Sequence, residues 1–279
     1  LVFSPRPRVR DNNMAEREMK RKMVSLMDLT TLDKEGDTED KVKQLVEKGS
    51  IANALQTEVA AVCVYPEFVP AAKKQIAALG CQMRVATVVN FPSGDGEVEQ
   101  IKLDTKGALD AGADEIDLVI CYKDYLQSAK SSRSCQLVHG VKEVIQQHGR
   151  GCLKVILETG ELKSSDLIQK SAEDALQHGA DFLKTSTGKT PAGASLEAAR
   201  VMLQVIKAAG EAGSTKVCGL KISGGVRTFE DALGYIRLVE EVLPDSADFL
   251  GPETFRFGVS GLLANLLRED AKVESGSAY

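Results

Sequence analysis

A lysine set among apolar residues is the feature of this sequence with the clearest chemistry. Residues 181–189 read DFLKTSTGK, which predicts a buried strand that ends at Lys184. Burial disfavours a charged ammonium and lowers the pKa of a lysine. A lysine that is neutral near pH 7 attacks carbonyl carbons and forms Schiff bases. The alternative for Lys184 is an ammonium that reaches past the strand end into solvent.

Other polar side chains lie in or directly after apolar runs: Asp28, Asn90, Asp117, Lys154, Glu158 and Lys221. Buried Asp and Lys side chains need partners, so this set is either a structural ion-pair network or a catalytic constellation. Lysines on neighbouring strands lie about 5 Å apart at the strand axes. Because like charges this close lower each other's pKa, we favour catalysis and predict that Lys184 and Lys221 depress one another's pKa.

Three loops carry glycine together with a cation or a hydroxyl. They contain Gly188 and Lys189, then Gly224, Gly225 and Arg227, then Gly258 and Ser260. Glycine lets a ligand approach the backbone closely, and backbone N–H groups at helix N-termini bind phosphate. One such loop is weak evidence because turns use glycine anyway. Three of them at neighbouring strand ends predict a phosphate site.

The elements that would position these residues repeat eight times from Leu26 onward, each as an apolar strand followed by an amphipathic helix. Near-continuous apolar strands alternating with helices are typical of a parallel sheet covered on both faces. We predict a single (β/α)8 TIM barrel with an N-terminal extension, whose active site lies at the carboxyl ends of the strands. An open doubly wound sheet is the alternative, but its glycine-rich nucleotide motifs are missing from the first turn.

The predicted domain organisation is an N-terminal tail over residues 1–22, partly disordered, a barrel over 23–270 and a flexible C-terminal tail over 271–279. The first 13 residues are rich in Pro, Arg and Asn, which favours disorder. A remnant of a transit peptide is the alternative for them.

Composition excludes several classes of protein. The 279 residues carry a net charge of −5 without a basic stripe, which argues against nucleic-acid binding, and no apolar run is long enough to span a membrane. The six cysteines are scattered, and several lie in strand-like runs. We therefore expect free thiols in the reducing cytoplasm rather than disulfides or zinc. The three histidines are not clustered, so no metal is expected.

Seven segments of this chain together resemble the deoxyribose-phosphate aldolases, a family of class I aldolases. They are 26–32 (LMDLTTL), 90–92 (NFP), 112–117 (GADEID), 154–160 (KVILETG), 182–188 (FLKTSTG), 221–228 (KISGGVRT) and 255–258 (FRFG). The segments around Lys184 and Lys221 are the most specific. The resemblance runs from about Ser25 to the C-terminus.

The resemblance implies reversible cleavage of 2-deoxy-D-ribose 5-phosphate to acetaldehyde and D-glyceraldehyde 3-phosphate, without metal or cofactor. Lys184 matches the Schiff-base lysine, Lys221 the lysine that lowers its pKa, and Asp117 with Lys154 the proton relay. The residues that match substrate contacts are Asp28, Thr187, Gly188, Lys189, Gly224, Gly225, Arg227, Gly258 and Ser260. Gly261 stands where some relatives have a second serine, which removes one phosphate contact.

The terminal Tyr279 resembles a tail tyrosine implicated in proton transfer in one bacterial branch, although small polar tails are usually disordered. Two alternatives to the main function stay open. The first is a Schiff-base aldolase for another phosphorylated sugar or keto acid. The second is an aldolase-like scaffold with an added protein-binding role. A homodimer is the oligomeric state we expect for this small-molecule enzyme.

Overall fold

The computed structural model of the chain describes residues 9–51, 53–214, 216–244 and 247–276, and for residues 9–13, 247 and 271–276 it describes the backbone alone. Within these residues, eight parallel strands pair in chain order, and the first closes against the last to form a barrel. The predicted (β/α)8 TIM barrel is therefore confirmed. The proposed domain boundaries at residues 23 and 270 stay predictions.

The strands are β1 (Met27–Thr30), β2 (Ala61–Val64), β3 (Arg84–Val89), β4 (Glu115–Val119), β5 (Cys152–Ile156), β6 (Phe182–Lys184), β7 (Gly219–Ser223) and β8 (Phe255–Val259). The register places Asp117 beside Lys154, and Lys184 beside Lys221. Paired residues in a parallel ladder point to the same face. Barrel closure alone brings Asp28 of β1 next to Gly258 of β8.

The helices are α1 (Val9–Ser25), α2 (Glu39–Gly49), α3 (Val69–Leu79), α4 (Val98–Asp110), α5 (Tyr122–Ser128), α6 (Ser132–His148), α7 (Thr159–Leu162), α8 (Ser165–Gln177), α9 (Leu196–Glu211), α10 (Phe229–Val242) and α11 (Leu262–Gly276). Short 3₁₀ turns precede α3 and β8, at Pro66–Phe68 and Ala247–Phe249. Hydroxyl side chains cap several helix starts: Thr228 of α10 accepts a hydrogen bond from the backbone N of Asp231 at 3.1 Å. Such caps satisfy N–H groups that have no partner within the helix.

Two short helices, α5 and α7, were not predicted from the sequence. Helix α7 has four residues, too few for an apolar repeat to be visible. The terminal helices also extend further than expected. Helix α1 begins at Val9 rather than Ala15, and α11 continues to Gly276, into the segment predicted as a tail. Tyr279 lies outside the described residues.

The repeated phrase Gly-Ala-Asp forms a helix-to-strand turn at two places. Gly112 and Gly179 adopt left-handed backbone conformations, with φ of 106° and 103°. The aspartates that follow each hold the start of the preceding strand, because Asp114 accepts from the backbone N of Val85 at 2.8 Å and Asp181 from that of Leu153 at 2.7 Å. These aspartates lie at the amino end of the barrel, where residues stabilise the fold and take no part in catalysis.

The apolar core fills the layer between the strands and the surrounding helices. Several buried side chains of the barrel strands are charged instead, and a second, small apolar cluster consists of Leu32, Cys63, Ala86 and Val88. The six cysteines are free thiols. No helix in the described part of the chain is both long and apolar enough to cross a bilayer.

Candidate active site

The two strand-end lysines meet at one carboxylate. Lys184 and Lys221 are register partners on β6 and β7. Their Nζ atoms lie 2.8 Å and 2.7 Å from the same oxygen, Oδ2 of Asp117. The structure therefore brings the two amines into one interior space, as the strand positions predicted.

A second lysine–carboxylate layer lies around this contact. Lys154 donates to Oδ1 of Asp117 at 3.0 Å and also to Glu115. Asp28 accepts from Lys221 at 2.5 Å and from Arg256 Nη1 at 2.5 Å. Each charged group of the layer thus has at least one partner of opposite charge, which is the condition for burying it.

The members of this cluster, which we call the buried charge network, are Asp28, Glu115, Asp117, Lys154, Lys184, Lys221 and Arg256. Lys184 is 2% exposed and the other six are fully buried. With every group ionised, four cations face three carboxylates, which leaves one uncompensated positive charge. A buried unpaired charge is costly, so loss of one proton balances the network. Arg84 also contacts Glu115, at 3.2 Å, but it brings its own counter-charge in Glu253.

Lys184 is the amine that loses this proton most readily. Burial lowers its pKa, Asp117 opposes this effect, and the positive charge of Lys221 lowers the pKa further. Burial also disfavours the charged form of Lys221, but Asp117 and Asp28 outweigh it and raise the pKa of Lys221. Our prediction that the two lysines depress each other's pKa is therefore wrong for Lys221, which stays protonated because it has two carboxylate partners.

Asp117 is held in its ionised form. Burial favours the neutral acid, but Lys154, Lys184 and Lys221 outweigh it and keep the pKa of Asp117 well below its ordinary value. Lys154 keeps its proton as well, because Asp117 and Glu115 overcome burial and raise its pKa. At neutral pH the site thus combines one amine whose pKa is lowered, that of Lys184, with fixed charges of both signs.

An open cavity of about 450 Å³ lies at the carboxyl ends of the strands. We call it the anion cup. Its walls come from the loops after β1, β6, β7 and β8 and include Thr30, Thr31, Leu32, Asp33, Thr187, Gly188, Lys189, Ser223, Gly224, Gly225, Val226, Arg227, Gly258, Val259, Ser260, Gly261 and Asn265. Every loop glycine predicted for the phosphate site therefore lines one cavity.

The backbone of the anion cup is open to a ligand. Gly188 and Gly225 have φ of 74° and 92°, and a Cβ added at either would meet no atom within 4 Å. Glycine is thus needed there for the left-handed conformation, and the space beside it is free. Lys189 crosses the mouth of the barrel, where its Nζ donates to the carbonyl of Leu32 at 2.5 Å.

Gly258 connects the anion cup with the lysines. A Cβ on this residue would lie 3.0 Å from Cε of Lys221 and 2.8 Å from Oγ of Ser223, which lines the cup. The close approach leaves no room for a larger residue. The bottom of the cup consequently borders the stem of Lys221, one strand away from Lys184.

Asp28 is placed differently from its predicted role as a substrate contact. It is fully buried and paired with Lys221 and Arg256, and it is not part of the cup wall. Asp28 and Thr30 share a face of β1, but Thr30 lies two residues closer to the carboxyl end of the strand and reaches the cup. Of the residues that sequence reasoning missed, Glu115 and Arg256 complete the buried charge network. Charges within apolar strands were the signal that marked them.

A closed parallel barrel with buried lysines beside a glycine-lined cup, at the carboxyl edge of the strands, is the arrangement of a (β/α)8 aldolase. The chain belongs to the DeoC/LacD family of aldolases, because that family model matches residues 22–259. The family resemblance seen in the sequence is confirmed.

Solved structures agree with this assignment. A candidate deoxyribose-phosphate aldolase from Toxoplasma gondii ME49 is 26% identical with a TM-score of 0.79, and the match covers 95% of this chain and 97% of that one. One from Coccidioides immitis is 27% identical with a TM-score of 0.73, covering 97% and 90%. The tetrameric deoxyribose phosphate aldolase from Aeropyrum pernix, 22% identical with a TM-score of 0.70 and covering 96% and 100%, shares the fold.

Proposed function

We propose that this protein is a class I aldolase that reversibly cleaves 2-deoxy-D-ribose 5-phosphate to acetaldehyde and D-glyceraldehyde 3-phosphate. One observation carries the proposal: Lys184, the lysine of the buried charge network whose pKa is lowered, lies beside the protonated Lys221, whose stem borders the anion cup. A neutral amine of this kind is a carbonyl nucleophile. The names of the similar structures support the choice of substrate.

The reaction begins when the neutral amine of Lys184 attacks C1 of the open-chain sugar. The resulting carbinolamine loses water, and the protonated imine that forms is the electron sink. Lys221, which stays protonated, supplies a proton to the departing hydroxyl. Asp117 contacts both amines and, through a water molecule and with Lys154 beside it, returns and removes protons.

Carbon–carbon cleavage follows from the imine. The relay of Asp117 and its water takes the C3 hydroxyl proton, and the O–H electron pair forms the carbonyl of the departing aldehyde. The C2–C3 bond breaks, and its electron pair moves toward the imine to give an enamine. D-Glyceraldehyde 3-phosphate leaves, the enamine takes a proton at C2, and water releases acetaldehyde from Lys184. The phosphate lies in the anion cup until D-glyceraldehyde 3-phosphate leaves, and Thr187, Gly188, Lys189, Gly224, Gly225, Arg227, Gly258 and Ser260 would contact it there.

Borohydride trapping tests the mechanism. Incubation with 2-deoxy-D-ribose 5-phosphate and borohydride should reduce the imine and leave a stable adduct on Lys184, located by peptide mass mapping. Lys154, equally a buried lysine, serves as the internal control. A folded protein without an adduct on Lys184, or with the adduct on another lysine, contradicts the proposal.

The substrate is tested separately from the mechanism. A panel of phosphorylated sugars and keto acids, each with borohydride, identifies which donors form the adduct. Use of acetaldehyde as donor in the reverse direction is the expected result, and adduct formation with a keto acid alone would favour the other aldolase. We place this reaction in the cytoplasm, where the six cysteines would remain free, and a homodimer stays our expectation for the assembly.

A further inference from the structure

Glu158 is a buried carboxylate to which the proposed chemistry assigns no task. It lies two residues after the end of β5, at the carboxyl end of the barrel, and is fully buried. Its backbone is left-handed, with φ and ψ both 56°. Residues other than glycine rarely adopt this conformation, and when they do it is often at functional sites, held in place by surrounding contacts.

The side chain of Glu158 is bound to the first turn of the β6–α9 loop. Both carboxylate oxygens lie 3.3 Å from the backbone N of Thr187, and Oε2 accepts from the hydroxyl of the same residue at 2.5 Å. The hydroxyl of Thr190 lies 3.4 Å from Oε1. One carboxylate therefore receives both donors of Thr187, in a loop that lines the anion cup, and lies near the Thr190 hydroxyl, which also contacts the carbonyl of Ala192 at 3.1 Å.

Thr187 connects Glu158 with Lys189, another residue of the cup wall. Because the Thr187 hydroxyl donates its proton to Glu158, its lone pairs are available to accept from the backbone N of Lys189, at 3.0 Å. Lys189 then spans the mouth of the barrel to the carbonyl of Leu32. A chain of hydrogen bonds thus leads from Glu158 through Thr187 to Lys189.

The turn that carries Glu158 is also packed against the far end of the same loop. A Cβ added at Gly160 would lie 2.3 Å from the carbonyl oxygen of Ala192, so that only glycine fits. Beyond Ala192, Gly193 packs on Gly224 of the neighbouring cup loop. The segment after β5 therefore contacts the β6–α9 loop at two places, through Glu158 and through Gly160.

We propose that Glu158 is a positioning residue for phosphate recognition, which holds the turn from Thr187 to Thr190 in the shape that presents Gly188 and Lys189 to the anion. The inference rests on the proposed function of the cup. Hydrogen bonds to a charged acceptor are the stronger kind, and burial protects these from competing water. Glu158 touches no reacting atom, so its effect should be confined to the phosphate of the substrate.

Two substrates separate this role from a general structural one. 2-Deoxy-D-ribose 5-phosphate uses the cup, and unphosphorylated 2-deoxy-D-ribose does not. Glu158→Ala should raise KM for the phosphorylated sugar about tenfold, the size of one or two hydrogen bonds to a charged group. It should change kcat/KM for the unphosphorylated sugar by less than about twofold, because the lysines stay in place. Equal losses on both substrates would overturn the proposal.

Further variants keep the test valid if Glu158→Ala fails to fold. Glu158→Gln keeps an oxygen for the Thr187 N–H but not the charge, so an intermediate effect is expected. Thr187→Val removes the hydroxyl that links Glu158 to Lys189, whereas Thr187→Ser retains it. In the double variant with Glu158→Gln and Thr187→Val, the increase in KM for the phosphorylated sugar should be smaller than expected from adding the free-energy effects of the two single variants. The matched control is Glu161→Gln, in the short helix α7 that directly follows Glu158, and it should behave as wild type.

Binding of inorganic phosphate, measured by calorimetry, tests the inference without turnover. The wild-type protein should bind phosphate about tenfold more tightly than Glu158→Ala. If the wild type binds phosphate and Glu158→Ala binds it equally, the inference fails and the proposed function stands. If the variant loses phosphate but the wild type gives no borohydride adduct, the proposed function fails and the positioning role stands. A wild type that binds no phosphate overturns the inference.

Discussion

Lys184 and Lys221 share a single acceptor, Oδ2 of Asp117, but they differ in the second partner. Lys221 also contacts Asp28 at 2.5 Å. Because Lys221 faces two carboxylates and Lys184 one, the surplus positive charge of the buried charge network falls on Lys184. The two amines are thus chemically different although they are register partners on neighbouring strands.

The same substitution should destabilise the fold much more at Lys221 than at Lys184. Lys221→Leu leaves Asp28 and Asp117 with fewer buried counter-charges and should lower the free energy of unfolding by about 3 kcal/mol. Lys184→Leu removes the one amine whose loss leaves the remaining charges balanced, and should change it by less than about 1 kcal/mol. Urea unfolding at pH 7 measures both. Two equally destabilised variants would contradict the charge balance described above.

Lys184→Leu, the variant expected to keep its stability, should lose its activity. Lys184→Leu should reduce turnover at least about 10³-fold, as expected for loss of a nucleophile, and should abolish the borohydride adduct. The folded state of this variant is its control, confirmed by an unchanged circular dichroism spectrum. Residual turnover near the wild-type level would remove Lys184 from the mechanism.

The pH dependence of the reaction should change in Lys221→Leu. The positive charge of Lys221 lowers the pKa of Lys184, so its removal raises that pKa. Since the neutral amine is the nucleophile, the acid limb of the kcat/KM profile should move to higher pH, and turnover at neutral pH should fall. Rate profiles between pH 5 and 9, about the range in which such groups titrate, test this. An acid limb at the wild-type position would show that the shift has another cause.

How much of this site was predictable depends on the distance over which each contact acts. Lys184, Lys221 and Asp117 could be assembled from the sequence because each lies in an apolar strand, and a barrel brings carboxyl ends together. The protonation state of Lys221 could not, because it depends on Asp28, which lies 193 residues earlier in the chain and meets Lys221 only through barrel closure. The sequence assigned no role to Arg256 for the same reason, because its contact with Asp28 also joins residues far apart in the chain.

Local patterns fail where an element is held by contacts rather than by its own sequence. Helix α5 is fixed by buried Tyr122 and Tyr125, and the hydroxyl of Tyr125 donates to Asp174 of α8 at 3.0 Å. Such a helix cannot be predicted from an apolar repeat in the sequence. The left-handed backbone of Glu158 likewise depends on the loop after β6, which no local signal reveals.

Phosphate recognition should depend on Lys189. Lys189→Met removes an ammonium from the wall of the anion cup but keeps the length of the side chain, and it should raise KM for 2-deoxy-D-ribose 5-phosphate about tenfold. The unphosphorylated sugar should be used as by the wild type. Steady-state kinetics with both sugars measure the difference. Lys34→Met, at an exposed position near the same mouth, is the control. An equal effect of this variant would show that Lys189 acts through its positive charge in general and not through a specific contact with the phosphate.

At the opposite end of the barrel, Asp181 should stabilise the fold without affecting chemistry. It accepts from the backbone N of Leu153 at 2.7 Å and from Lys142 at 2.6 Å, and it pairs with Lys216. Burial opposes the ionised form, but these donors outweigh it and hold the pKa of Asp181 below its ordinary value of 3.8. Its contribution is therefore present above that value and is lost as the pH falls through the lower value of the folded state.

Asp181→Asn should accordingly lower the free energy of unfolding by about 2 kcal/mol at pH 7, and the difference from wild type should shrink in acid. Urea unfolding at pH 7 and near pH 3, on either side of the ordinary value, measures both quantities. The kcat of the folded variant should equal that of the wild type, because the partners of Asp181, Leu153, Lys142 and Lys216, are not residues of the buried charge network. Asp104→Asn, an exposed helical position, is the control. A stability difference that grew in acid would mean that Asp181 is not held ionised.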